Sequence, residues 1–377
     1  MAFLHYYSHF DFSIFSKQYP NDYIDHIFMK ITPLFIFGIG FLSWIRHIMF
    51  SKISCASPLE WNDCWDEYIN KYCLFEEKYQ FSMKNASNEI IGGINYYQWM
   101  PYFFLCLAGL ASLPNAIWNI LQSFYVIDIN HIFFVTAFWN RTCKNTENAL
   151  QYISTCFTNI NKFTTKNQKP ENIFADKSIF ICYILIKILC FADSVLILYL
   201  LQIMIQEPSL LFGYDLVKDL FNQISWEESG VFPRVIKCNI GFGIFNEEIF
   251  ETVQCVLPEN AVYEKIAISI WFWIVLCWVL LVYSGIMWIN FIYKVITGRY
   301  LENHLNYCWI EESVLQRLPV NYVNSSDLDI DKNRKLTLFK SRFMTMNNIF
   351  LLKLIEINFD ENCMRQILLR LWNDFEE

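Results

Sequence analysis

Five cysteines are the residues in this chain best placed for covalent chemistry. Cys55, Cys64 and Cys73 share one polar, acidic segment, and Cys238 and Cys255 share another. Outside a reducing compartment, thiols in such segments oxidise to disulfides. Cys55 and Cys73 stand eighteen residues apart and Cys238 and Cys255 seventeen, which suggests two matched pairs with Cys64 left over. Four cysteines allow three connectivities, and the spacing does not choose among them. The plainer alternative is a set of unpaired, buried thiols. The other eight of the thirteen cysteines fall in apolar runs or in segments assigned below to the cytoplasm, where thiols stay reduced.

Other reactive groups are isolated. His5 and His9 have the spacing of two ligands on one helical face, but no Cys or carboxylate stands beside them to complete a metal site, so they read as solvated. Lys187 and Asp193 lie six residues apart, roughly 240° around a helix, and so do not share a face. Each is expected to find its partner on another helix; a proton relay is the sharper alternative. The chain has no histidine cluster, Gly-rich phosphate loop or G-x-S-x-G elbow, so no enzymatic activity, cofactor or metal is expected. The basic stretch around residues 141–177 is interrupted by Asn, Thr and acids, which argues for a solvated face and against nucleic-acid binding.

The elements that must position these residues are apolar helices. Of 377 residues, 55% are hydrophobic and 18% charged, against about a quarter charged in a soluble domain. Four runs are long enough for a hydrocarbon core, which needs roughly 20 helical residues. They are Ile31–Phe50, Trp99–Phe124, Ile179–Ile205 and Ile266–Ile292. This divides the chain into an N-terminal segment (1–30), a first loop (51–98), a middle loop (125–178), a second loop (206–265) and a C-terminal region (293–377). Acids and the lack of a small-residue cleavage site in "FDFSIFSKQYPNDYIDHIFMK" predict that the first run is retained as a span. "YYQWMPYFF" opens the second run. Its Tyr96, Tyr97 and Trp99 are suited to the membrane–water boundary, and Pro101 falls in the first turn, where a missing N–H costs nothing. Pro114, mid-span, is expected to kink the helix.

Basic residues orient the spans. The N-terminal segment, the middle loop and the C-terminal region hold nineteen Lys and Arg. The first and second loops hold eight against seventeen acids, a net of −9. Both termini and the middle loop are therefore expected in the cytoplasm, and the two cysteine-bearing loops outside. In that orientation the sequon at Asn85 faces a glycosylating compartment, whereas those at Asn140 and Asn324 do not. "NSSDLDIDKNRK" in the tail is expected to be mobile.

In this arrangement the residues resemble the innexins, the invertebrate gap-junction proteins related to pannexins. "YYQWM" (Tyr96, Tyr97, Gln98, Trp99) is similar to the family signature YYQWV, with Met100 in place of Val. "LPNAIW" resembles the kinking proline and its aromatic follower. "SCASPLEW…EYINKYC", "SGVFPRVIKC", "VQCVLPENAVYEKIAISIWFW" and "NNIFLLKLIEINFDENCMRQILLRLW" resemble the loops, the entry to the fourth span and the cytoplasmic helices. Departures cluster in the two loops: Ala56 where Trp is usual, Asn239-Ile240 for Asp-Phe, "GFG" for a more basic stretch, and the extra Cys64.

The resemblance implies an all-α membrane protein of four spans, with cytoplasmic termini, two disulfide-braced extracellular loops and a helical cytoplasmic loop and tail. It implies bridges from the first loop to the second, Cys55 with Cys255 and Cys73 with Cys238. It also implies a homo- or hetero-oligomeric plasma-membrane ring of six to eight subunits, in contact with membrane lipids and docked end-on with a ring on the adjacent cell. Ions and small metabolites would pass along a channel lined by the N-terminal segment, the first span and the start of the first loop. Arg46 and His47 are the candidate lining residues; both could instead snorkel to the nearby surface. The alternative function is a non-conducting junctional or regulatory subunit that assembles with other innexins.

Overall fold

The computed structural model describes residues 21–49, 53–56, 63–76, 79–83, 90–94, 96–123, 129–142, 146–166, 173–206, 209–222, 232–244, 247–305, 334–335 and 337–375. Among the described residues, four helices are long and apolar enough to cross a membrane: Tyr23–Met49, Met100–Ser123, Ile179–Ile205 and Asn260–Ile296. They overlap the four expected runs, and the described residues are mostly helical. The first starts earlier than its apolar run, at Tyr23, and the fourth starts earlier at Asn260, just after Pro258. The chain divides into two compact units.

One unit comprises Ile27–Asn115 and Leu189–Val282. Here the first span contains a π-helical turn at Ile27–Ile31, where the regular carbonyl pairing shifts by one residue. The Thr32 hydroxyl donates to the Ile27 carbonyl at 3.3 Å and accepts from Trp273 Nε1 at 3.0 Å. Phe35 stacks on the same Trp273 ring with centroids 4.7 Å apart. Farther along, Gly40 lets the first and second spans approach closely: a Cβ there would lie 3.1 Å from the Phe104 Cβ. The second span breaks at Ser112 into helices Met100–Ala111 and Leu113–Ser123, two residues before Pro114, whose ring cannot follow a regular turn. The Ser112 hydroxyl donates to the Gly109 carbonyl at 2.7 Å.

The same unit holds an antiparallel five-stranded sheet, with strands β1 (Ser54–Cys55), β2 (Tyr79–Met83), β3 (Ile90–Ile94), β4 (Val235–Ile244) and β5 (Glu247–Val256) in the order β1-β5-β4-β2-β3. Strands of the first loop thus flank a hairpin of the second. The period of two is visible in β4: Ile236, Cys238 and Ile240 are buried, while Lys237 and Asn239 are exposed. In β5, Val253 and Cys255 are buried while Gln254 and Val256 are exposed. That alternation is present in the sequence itself.

The other unit comprises Met1–His26, Ala116–Ile188 and Tyr283–Glu377. Its described parts include the middle-loop helices Ile129–Thr142 and Thr146–Lys166 and the tail helices Met346–Asn358 and Glu361–Asn373. Thr345 and Asp360 cap the two tail helices by accepting from the Asn348 and Glu361 amides. The Ser154 hydroxyl donates to Asp374 at 2.6 Å, and Arg370 pairs with Glu147, so tail and middle loop pack together.

At the centre of this unit Lys187 is held by two carboxylates. Its ammonium lies 2.8 Å from Asp25 Oδ1 and 3.6 Å from Asp22 Oδ2, and donates to Ser284 Oγ at 2.6 Å. The Tyr183 hydroxyl donates to the other Asp25 oxygen at 2.5 Å, and Ser284 Oγ donates to Asp22 at 2.8 Å. The rings of Tyr183 and Trp288 stand 5.2 and 5.6 Å from the ammonium, and Phe350 of the tail packs on both rings. Lys187 therefore finds its carboxylate partners at the start of the first spanning helix, Asp22 directly ahead of it and Asp25 in its first turn, not at Asp193. Asp193 is itself buried, and its Oδ2 has no hydrogen-bond partner among the described residues.

Two predictions follow from this packing. Lys187→Met leaves Asp25 buried without its cation and should lower stability by about 3–5 kcal/mol. Adding Asp25→Asn should recover part of that loss, as read from thermal unfolding of the detergent-solubilised chain. Gly40→Leu should cost about 1–3 kcal/mol through overpacking against Phe104, whereas Gly38→Leu, with nothing within 4 Å of its Cβ, should not destabilise.

Candidate functional site: the braced loops and the end of the first span

The two loops are joined covalently twice. Cys55 bonds Cys255, and Cys73 bonds Cys238, across sequence separations of 200 and 165 residues. Each bridge has its own local reason. Cys55 and Cys255 are direct partners in the β1–β5 register, so their side chains leave the sheet on the same face. Cys238 points inward from β4, where it meets Cys73 on the first-loop helix Asp63–Glu76. The sulfurs of Cys55, Cys73 and Cys255 lie within 4.8 Å of one another, so the bridges form one cluster. All three are spent in disulfides, which leaves no thiolate there for a metal.

Hydrogen bonds extend the brace. The Cys55 amide donates to Asn70 Oδ1 at 2.8 Å, tying β1 to the first-loop helix. The Ala56 amide donates to the Gln254 carbonyl at 2.8 Å. On the same helix Lys71 donates to Glu67 at 2.6 Å, and this bond holds the exposed Glu67 carboxyl below its ordinary range.

The residues at the entry of the second span serve this brace more than the membrane boundary. Gln98 Nε2 donates to the Leu74 carbonyl, one of the last-turn acceptors that a helix leaves unpaired, next to Cys73. Tyr96 is buried edge-on to Phe232 at 5.8 Å, and Tyr97 edge-on to Tyr263 at 5.8 Å. Of the three expected boundary residues only Trp99 is exposed, at 58%, beside Tyr102. The expectation for Tyr96 and Tyr97 is corrected accordingly: their rings are buried in the protein.

The first span ends in a second junction. Arg46 Nε faces both oxygens of Glu259, at 3.1 and 3.0 Å. Glu259 is buried directly ahead of the fourth span, where the unpaired amides of a helix start favour negative charge. Half of the Arg46 side chain stays exposed. His47, by contrast, is buried, and its Nδ1 lies 3.2 Å from the Tyr263 hydroxyl. Tyr263 also packs against Phe104, so one ring gathers the first span, the second span and the signature. Asn260 Nδ2 donates to the Pro233 carbonyl at 2.7 Å, fixing the approach to the fourth span.

The sequence singles out the four bridged cysteines, the signature and Arg46 and His47, and the structure brings these together around the loops. The sequence reading misses Glu259, Tyr263, Asn70 and Phe232. Glu259 and Asn260, after Pro258, carried a helix-start signal that could have drawn notice. Asn85, the Cys64 side chain and residues 324–333, all of "NSSDLDIDKNRK" but Arg334 and Lys335, lie outside the described residues. Arg46→Gln should leave buried Glu259 with an unpaired charge and cost about 1–3 kcal/mol. Arg46→Gln with Glu259→Gln should restore part of it, measured by thermal unfolding in detergent.

Known proteins carry the same pattern. The innexin family profile matches residues 21–375. Among curated relatives from Caenorhabditis elegans, Innexin-10 is 23% identical over 94% of this chain and 65% of its own length. Innexin unc-9 is 25% identical over 94% of this chain and 92% of its own, and Innexin-17 is 26% identical over 71% and 75%. The chain thus spans just under two thirds of Innexin-10 but nearly all of Innexin unc-9. With the family match running through spans, bridges and tail alike, this chain belongs to the innexin family.

Proposed function

We propose that this chain is a pore-forming subunit of an intercellular channel. A ring of six to eight copies, alone or mixed with other innexins, surrounds an aqueous passage in the plasma membrane and docks through its two loops with a ring on the adjacent cell. The observation that carries this reading is the double brace between loops. A surface that meets another end-on in water cannot rely on a deep core of its own. The sheet and two long-range disulfides keep it in one shape, since cross-linking distant residues removes freedom from the unfolded chain.

In this reading the bridged loops face outside and the tail helices face the cytoplasm. Arg46, half exposed at the end of the first span, stands at the wall of the passage, while His47 supports it from behind through Tyr263. Acidic residues of the loops favour cations at the outer mouth, as rings of carboxylates do. A glycan on Asn85 would stand on the docking side and hinder contact between rings. The departures at Ala56 and Asn239 tune partner choice; the Thr252 hydroxyl donates to the exposed Asn239 across the β4–β5 pair at 2.8 Å.

Recording from paired cells that express the chain alone tests the proposal. Voltage-dependent junctional current is expected, and it should vanish in Cys73→Ser, whose loss of a native bridge costs about 2–5 kcal/mol. Silence alone with altered coupling on co-expression would establish the regulatory alternative. Undiminished coupling in Cys73→Ser would remove the brace from the account.

A further inference from the structure

The short helix Phe212–Phe221, in the second loop, has two apolar faces where one would suffice. Its inward face is accounted for: Phe212 and Leu216 are buried, and Phe212 meets the Trp271 ring edge-on at 6.3 Å. Its outward face carries Tyr214 and Phe221, and Leu211 in the turn before it continues that face, exposed by 60%, 84% and 62%. At about 100° per residue these three and Lys218 fall within one stripe of roughly 80°, opposite Phe212 and Leu216. Asp215 and Asp219 lie along one edge of the stripe, so acids border it without interrupting it.

What covers this stripe is indicated by where the helix is fastened. Trp271 Nε1 donates to the Leu210 carbonyl at 2.9 Å, at the start of the helix. Gly213 lies so close to the same ring that a Cβ there would collide with Trp271 Cδ2. Trp271 belongs to the fourth span, five residues past Ile266, where the apolar run begins, which places it about 7 Å inside that run. With Ile266 taken as the bilayer boundary, the helix is held at the depth where amphipathic helices rest, about 5–10 Å into the boundary between headgroups and acyl chains. Gln206, at φ 64°, ends the third span in a left-handed turn, and Tyr199 and Ile203 of that span are also exposed.

We propose that Phe212–Phe221 is a membrane-interface helix whose outward stripe is covered by phospholipid. Leu211, Tyr214 and Phe221 reach the acyl boundary, Lys218 extends its ammonium to lipid phosphates, and Asp215 and Asp219 turn to water. The proposal requires only that the spans cross a bilayer, so it holds whether or not rings dock or conduct.

Photo-crosslinking tests it. The full chain, with p-benzoylphenylalanine replacing Leu211, Tyr214 or Phe221 singly, is purified into phosphatidylcholine vesicles and irradiated. Each of the three chains should gain the mass of one phospholipid. The same substitution at Phe75, exposed on the first-loop helix, should gain none. Crosslinks between two copies of the chain at these positions would assign the stripe to a neighbouring subunit and overturn the proposal. Adduct yields no greater than at Phe75 would assign it to water and overturn it equally.

Discussion

Two sulfur bridges set the terms for this chain. The first and second loops are separated in sequence by two spans and a long middle segment. Joining Cys55 to Cys255 and Cys73 to Cys238 makes them one body with a five-stranded sheet and a shared buried core. In the chain-entropy account, closing loops of 165 and 200 residues confines the unfolded chain more than a local bridge would. Once closed, the body gives the signature residues their places: Gln98 on the end of the first-loop helix, Tyr96 and Tyr97 within the core.

A different constraint organises the other unit. Lys187 and its two aspartates are charges where charge is costly, and they are tolerable because every formal charge has an opposite partner and several hydrogen bonds. The geometry needs three separate stretches of chain, residues 22–25, the third span and the fourth. The aromatic rings of Tyr183, Trp288 and Phe350 then exclude water from it. Such a network specifies how these pieces meet more than it adds stability.

The sequence showed the four spans plainly, because twenty apolar residues in a row have few other uses. It also marked the cysteines, since thiols in acidic loops ask for partners. It could not show which cysteine meets which: the residues left three connectivities open, and only resemblance to a family favoured one. The sheet is hard to see in the sequence because the clear alternation of its ten-residue strand β4 is confined to "VIKCNI" and gives way to the glycines of "GFG". The boundary role expected of Tyr96 and Tyr97 failed because the sequence cannot reveal that a loop folds back over the helix entry. Glu259 escaped notice because its partner, Arg46, lies 213 residues away.

The central claim is that the loops are joined to each other and not each to itself. Proteolysis of the purified full-length chain under non-reducing conditions, followed by mass spectrometry, reads this directly. Linked peptides containing Cys55 with Cys255 and Cys73 with Cys238 are expected. Peptides linking Cys55 to Cys73 and Cys238 to Cys255 would contradict the account.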